Sequence, residues 1–266
     1  MNNLSEILDF VLKIIKEAGD GILAFYDSNY KTEEKRDGSP ITKADIESNR
    51  IILSALRKKF PDYGILSEEE VDNLERLKKK RVWIIDPLDG TRDFIEKTED
   101  FTIMIGLVEE GRPILGIIYQ PLKKAFYYAI LGKGAFLKYD NKLKNLRVSS
   151  QSNISDAKMA SSRFHLSSLE ERFKNNLKIK KFEKRGSSLK VCRIAQGEAD
   201  FNFNPANKTW EWDVCASDII LSEAGGKLSD IKGEIIKYNK KDPRNSYGYL
   251  ASNNILHETI IKNLDL

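Results

Sequence analysis

The run VWIIDPLDGTRDF, residues 82–94, carries two carboxylates three residues apart, Asp86 and Asp89, just past a short apolar segment. Val82 to Ile85 has the composition and length of a buried strand, and Pro87 and Gly90 punctuate the turn expected after it. Pro87 fixes its φ and Gly90 tolerates values other residues avoid, so the backbone can fold tightly enough to aim both carboxylates and the Leu88 carbonyl at one point. Hard oxygen donors gathered in that way suit Mg²⁺. Thr91 stands where a helix can begin, so its hydroxyl and the N–H groups of Gly90 and Thr91 can face an anion such as phosphate. A plainer reading makes Asp86 a helix cap and Asp89-Gly90 a turn. The two aspartates alone do not choose between these readings.

The elements around this run organise the chain into two parts. Leu4, Ile7, Leu8, Val11, Leu12 and Ile15 recur at helical spacing and predict an amphipathic helix over about 3–27. A second helix is predicted over 43–59, after the Ser39-Pro40 break and with Thr42 as its N-cap. Strands are predicted at 63–66, 82–85, 101–109, 113–120 and 124–130 in a hairpin rhythm, giving an antiparallel sheet packed on helices. From about residue 146 strand and helix alternate: strands at 158–161, 179–182 and 199–202, helices near 167–176 and 187–196, and a last helix from Asp213 to Ala224 ended by Gly225-Gly226. We therefore expect an α+β part over 1–145 and an α/β part with a mixed sheet over 146–266, with a site between them.

Further acids stand at the boundaries of these elements. Asp37 begins DGSPITKAD, Glu68 follows the strand at 63–66, and Asp213 opens a helix after Trp210-Glu211-Trp212. Bringing acids together is costly unless a cation neutralises them. Spacing along the chain does not by itself show that they meet.

Composition narrows the classes. With 266 residues, 41% hydrophobic and 32% charged, the chain can bury a substantial core. Its net charge of +4 is spread over interleaved acids and bases, which argues against a polynucleotide partner, and the basic runs at 78–81 and 178–185 read as solvated lysine faces. No apolar run approaches the ~18 residues of a membrane span. The N-terminal helix is no signal peptide, and a reducing cytoplasm is the expected location. Cys192 and Cys215 follow no metal or disulfide spacing and read as buried core residues. The two histidines, His165 and His257, are too few for a histidine metal site, and His257 is expected on the surface of a terminal helix.

DGSPITKAD, Ser67-Glu68-Glu69, WIIDPLDGT and WEWDVCASDIILSEAGG, in this order, resemble the inositol monophosphatase superfamily of Mg²⁺-dependent, lithium-sensitive phosphomonoesterases over nearly the whole chain. The resemblance implies a layered α-β-α-β-α fold. It implies that Glu68, Asp86, Asp89, Asp213 and the Leu88 carbonyl hold two or three Mg²⁺ ions. Asp37 and Thr91 would orient and deprotonate the attacking water, and Gly90 and Thr91 would hold the phosphate. Asp45 is expected at the helix start or against Thr91, in a structural role.

Within the superfamily DGTRDF, FTIMIGLVEEGRPILGIIYQP, ASSRFH and GSSLK are similar to segments of bacterial 3'(2'),5'-bisphosphate nucleotidases. The implied substrate is adenosine 3',5'-bisphosphate, a by-product of sulfur metabolism, cleaved to AMP and phosphate. Arg92, Ser161, His165, Ser188 and Lys190 are then the candidate substrate contacts, with Arg163 beside them and Lys190 suited to the phosphate that is not cleaved. The chain departs from the relatives at FNFNPANKTWEWD, where an arginine often precedes the WD motif and Lys208 is the possible substitute, and at Ser67, which replaces a common glycine. An inositol or sugar monophosphatase of the same superfamily and a non-catalytic phosphate sensor are the competing readings. Monomer and homodimer stay equally open.

Overall fold

The computed structural model describes residues 3–26, 33–34, 40–164, 168–205 and 209–264. Asp37, His165 and Lys208 lie outside them. The chain begins with α1 (Leu4–Tyr26), passes through the two-residue strands β1 (Glu33–Glu34) and β2 (Pro40–Ile41), and enters α2 (Lys43–Lys59). Thr42 caps α2: its hydroxyl accepts from the Ala44 N–H at 3.1 Å, and Asp45 returns the contact by accepting from the Thr42 N–H at 2.8 Å. Arg57, Lys58 and Lys59 in the last turn suit the negative end of the helix dipole.

The next stretch builds a seven-stranded sheet from β3 (Gly64–Ser67), β4 (Arg81–Asp89), β5 (Thr102–Glu109), β6 (Arg112–Gln120), β7 (Ala125–Ile130), β8 (Gly134–Tyr139) and β9 (Lys142–Asn145), ordered as numbered, with α3 (Thr91–Ile95) between β4 and β5. All neighbours are antiparallel except β3 and β4, which run parallel because the chain crosses over through a 3₁₀ turn at Glu75–Lys78. The expected all-antiparallel sheet is corrected at that edge.

The remainder comprises β10 (Lys158–Ser162), α4 (Ser168–Asn176), β11 (Lys181–Arg185), α5 (Leu189–Ala195), β12 (Phe201–Asn204), β13 (Thr209–Trp210), α6 (Glu211–Glu223), β14 (Lys227–Ser229), β15 (Arg244–Asn245), β16 (Tyr249–Ser252) and α7 (His257–Asn263). The second sheet has the order β11-β10-β12-β16-β14 and is mixed: β10 is parallel to β11 and β12, while β16 is antiparallel to β12 and β14.

Period-two alternation stacks these elements into layers. On β4, Trp83 and Ile85 face α1 and α2, whereas Val82 and Ile84 face α5 and α6. Ala160, Leu228, Tyr249 and Ala251 of the second sheet close that same middle core from the other side. The far face of the second sheet, with Met159, Phe201, Phe203 and Leu250, is covered by Phe173 of α4 and Ile260 of α7. The order is helices, sheet, helices, sheet, helices, as the resemblance implies.

Glycine lets α6 sit directly on the first sheet. Gly106 and Gly116 pair across β5 and β6, and a Cβ on either would lie 2.5 Å from Cys215 Sγ or Ile219 Cγ2 respectively. Cys192 and Cys215 are buried there, as expected.

His257 corrects the sequence reading. It is fully buried, and its ring bridges the Ser229 hydroxyl at Nε2 and the Ser252 hydroxyl at Nδ1, both at 2.8 Å. The Ser229 hydroxyl gives its hydrogen to the Asp230 carbonyl at 2.6 Å, so it must accept from Nε2–H, and Nδ1 then accepts from Ser252. The terminal helix is pinned to the sheet by a neutral imidazole.

Candidate active site

A bulge in β4 explains how Asp86 and Asp89 reach one place. Residues three apart on a regular strand point to opposite faces. Here Asp86 pairs with Met104 and Asp89 with Thr102, so β4 carries one residue more than β5 between the two pairings. That extra residue returns Asp89 to the side of Asp86. The strand therefore continues through Pro87 rather than ending at Ile85, which corrects the expected turn. Proline is tolerated at the bulge because no ladder N–H is needed there. The shared side is the face of Val82, Ile84 and Met104, against which α6 packs. Asp213, in the first turn of α6, and Glu68, just beyond β3, meet them from two further directions.

Electrostatics registers the encounter. Burial pushes the Asp86 carboxyl well above the usual range, and the neighbouring Glu68, Asp89 and Asp213 carboxylates push it further, with a hydrogen bond to Glu68. Asp213 is raised well above the usual range by burial and by Glu68 and Asp89, although the Trp210 N–H, 2.6 Å from Oδ2, works against the shift. The acids are gathered but not drawn into a finished cage: among the described residues no three Asp, Glu, His or Cys side chains form a closed metal site. Each aspartate also commits an oxygen to the protein. Asp86 Oδ1 accepts from the Leu88 N–H at 3.0 Å, and Asp89 Oδ2 accepts from the Ser188 N–H at 2.5 Å. The donor set is all oxygen and its charges are mutually repulsive, which fits a hard divalent cation.

The Leu88 carbonyl lies at the same bulge and accepts from the Thr91 hydroxyl at 3.2 Å. Thr91 has one hydroxyl hydrogen, and its shorter contact, to Asp45 Oδ1 at 3.0 Å, competes with the Leu88 carbonyl for it. The acid bonded to Thr91 is thus Asp45, to which sequence reasoning gave only a structural role. Its other oxygen, Oδ2, accepts from the Thr42 N–H and hydroxyl at 2.8 and 2.6 Å. Burial outweighs these hydrogen bonds and pushes the Asp45 carboxyl up to about 6. The capping-box pattern at Thr42 and Asp45 was the available signal, but it reported only the half of Asp45 that serves the helix.

Gly90 enters α3 at φ 90°, the left-handed region, and a Cβ there would lie 3.2 Å from the Ser187 Cβ. This brings the GSSLK segment onto the Asp89 bulge. Lys190 is half-buried, donates to the Ser187 carbonyl at 2.6 Å, and has its pKa lowered by burial despite the facing Asp89, Asp93, Glu170 and Asp100 carboxylates. Arg163 reaches Asp100 at 2.6 Å and lies 3.4 Å from Asp93, and Arg185 reaches Asp100 at 3.4 Å. Arg92 is exposed and lies over the Phe164 ring at 4.5 Å, while Ser161 is buried on β10. Ser188 is buried; its N–H donates to Asp89 and its hydroxyl meets that of Thr102.

The sequence pattern that defines the Inositol monophosphatase family matches residues 3–265. The chain belongs to that family. As an inositol monophosphatase family phosphatase it is 35% identical to the 3'(2'),5'-bisphosphate nucleotidase CysQ of Salmonella typhimurium, over 91% of this chain and 96% of that one. Among solved structures, CysQ from Bacteroides thetaiotaomicron superposes with a TM-score of 0.78 at 31% identity, covering 95% of this chain and 99% of its own. The IMPase of Thermotoga maritima gives 0.82 at 27% identity over 98% and 97%. No helix among the described residues is long and apolar enough to cross a membrane.

Proposed function

We propose that this family member hydrolyses the 3'-phosphate of adenosine 3',5'-bisphosphate, giving AMP and phosphate, at a Mg²⁺ site held by Glu68, Asp86, Asp89, Asp213 and the Leu88 carbonyl. The reading is carried by the convergence of these carboxylates on the α6 face of β4, beside the Thr91–Asp45 hydrogen bond. The likeness to the bisphosphate nucleotidases supports the choice of ester. When bound, Mg²⁺ supplies Lewis-acid activation of water and neutralises phosphoryl charge.

The protein's own part is orientation and proton removal. The Thr91 hydroxyl, already donating to Asp45, accepts a hydrogen bond from the attacking water and passes its own proton to the carboxylate. The Asp45 pKa of about 6 suits it to take that proton near neutral pH. The new bond forms between water oxygen and phosphorus as the bond from phosphorus to the ribose 3'-oxygen breaks, and that oxygen takes a proton from solvent water, while the proton held by Asp45 returns to solvent. Gly90 and Thr91 N–H groups steady the phosphoryl oxygens, and Lys190, with Arg163 and Arg185 nearby, faces the remaining phosphate. The proposal gives the proton-accepting role to Asp45, which the Thr91 hydrogen bond supports; Asp37, named for that role from the sequence, lies outside the described residues.

Phosphate release from adenosine 3',5'-bisphosphate and from inositol 1-phosphate, compared in saturating Mg²⁺, tests the reading. A large preference for the inositol ester overturns the substrate, and tight binding of either without release overturns catalysis. Lithium titration in the same assay checks the family's inhibition.

A further inference from the structure

The Asp89 carboxylate is held on one side by two groups that meet the same oxygen. Ser188 donates its N–H to Asp89 Oδ2 at 2.5 Å, and Thr102 donates its hydroxyl to the same oxygen at 3.1 Å. The Thr102 and Ser188 hydroxyl oxygens are 2.8 Å apart. A hydroxyl has one hydrogen, and that of Thr102 goes to Asp89, so Ser188 must donate to Thr102. The three contacts close a triangle in which two hydrogens point at Oδ2 and the third, from the Ser188 hydroxyl, points at Thr102 Oγ1. Thr102 is fully buried and Ser188 nearly so, so water does not compete for these groups.

The two groups arrive from separate parts of the fold. Thr102 opens β5 and is the register partner of Asp89 across the bulge. Ser188 belongs to the segment after β11, and that segment is tied down independently where the Gly186 N–H donates to Asp100 at 3.1 Å. From this geometry we infer that Thr102 and Ser188 are positioning residues that lock the Asp89 carboxylate and reserve its second oxygen for the divalent cation. The inference rests on the metal reading proposed above. Partners of this kind orient a ligating carboxylate, and their loss typically weakens metal binding. A consequence is that Ser188 acts through Asp89 rather than on the substrate.

The test measures metal alone, without substrate. Mn²⁺ shares the preference of Mg²⁺ for carboxylate oxygen, and its free concentration is read by electron paramagnetic resonance. Thr102→Val keeps the shape and removes the hydroxyl, and is expected to weaken Mn²⁺ binding by roughly 10- to 100-fold. Thr102→Ser, which restores the hydroxyl, should return affinity to within about threefold of the parent, a small fraction of the loss typical for such partners. Ser188→Ala keeps the N–H on Asp89 but leaves Thr102 without its donor, and should weaken binding in the same direction by a smaller factor. It supplies the result if Thr102→Val fails to fold by circular dichroism. Unchanged affinity in folded Thr102→Val, or unchanged affinity in Ser188→Ala where that variant decides, overturns the inference. Equal losses in Thr102→Val and Thr102→Ser also overturn it. If the parent protein binds no Mn²⁺, the metal reading itself falls and takes this inference with it.

Discussion

Replacing His257 by Gln separates the contribution of one buried imidazole to acid stability. Burial, and the Lys227 ammonium to a lesser degree, lower the His257 pKa from 6.5 to about 4, with Glu258 acting weakly in the opposite sense. Below pH 6.5 the unfolded chain binds a proton at this position and the folded chain does not, so stability falls with falling pH. The contribution is complete above 6.5, declines through the interval, and is lost once pH has fallen through about 4. At 1.36 kcal/mol per unit the full difference is about 3 kcal/mol, and by pH 5 about 2 kcal/mol is gone. That is a sizeable share of a total stability of roughly 5–15 kcal/mol. Urea unfolding of the parent and His257→Gln proteins between pH 7.5 and 4.5 measures it, because other acid-sensitive groups are common to both. The expected gap between the proteins narrows as pH falls. A constant gap, or an imidazole proton resonance of His257 titrating near 6.5, refutes the buried neutral tautomer.

Other perturbations address the chemistry directly. Asp89→Asn should remove a ligand charge, weaken divalent-cation binding and nearly abolish turnover; a variant with parental kcat and Mg²⁺ dependence would disprove the metal assignment. Asp45→Asn and Thr91→Val should each lower kcat by about 10²- to 10⁴-fold, with the double variant little worse than either single one, because the two residues act as one proton relay. Additive losses would show that they work separately. Lys190→Ala should raise KM for adenosine 3',5'-bisphosphate more than it lowers kcat, and a loss confined to kcat would remove the lysine from substrate binding.

Long periodic elements were legible before any coordinates because burial alone specifies them. The spacing of Ile7, Leu8, Val11 and Ile15 fixed α1, and the Thr42 cap placed the start of α2 at Lys43. The strands β8 and β9 were missed because β9 is exposed throughout and its Lys-rich sequence has no apolar alternation. β11 was displaced because Ile179 packs in the core below the sheet, whereas the strand itself, Lys181–Arg185, is largely exposed at an edge. At the candidate site, the identity of the acids could be read but not their directions. The β4 bulge depends on how β4 pairs with β5, a long-range fact that turn chemistry at Pro87 and Gly90 imitates. His257 was misplaced for a related reason: its partners Ser229 and Ser252 are polar, so nothing in the local pattern marks it as buried.

The bare backbone of Gly106 and Gly116 under α6 sets a mechanical tolerance for the whole centre. Cys215 and Ile219 of α6 rest directly on the strand backbone there, so the span from Asp213 to the β4 aspartates is gauged by that close contact rather than by loop lengths. Segments at the rim can diverge freely over such a chassis while the spacing between Asp213 and the β4 aspartates stays put.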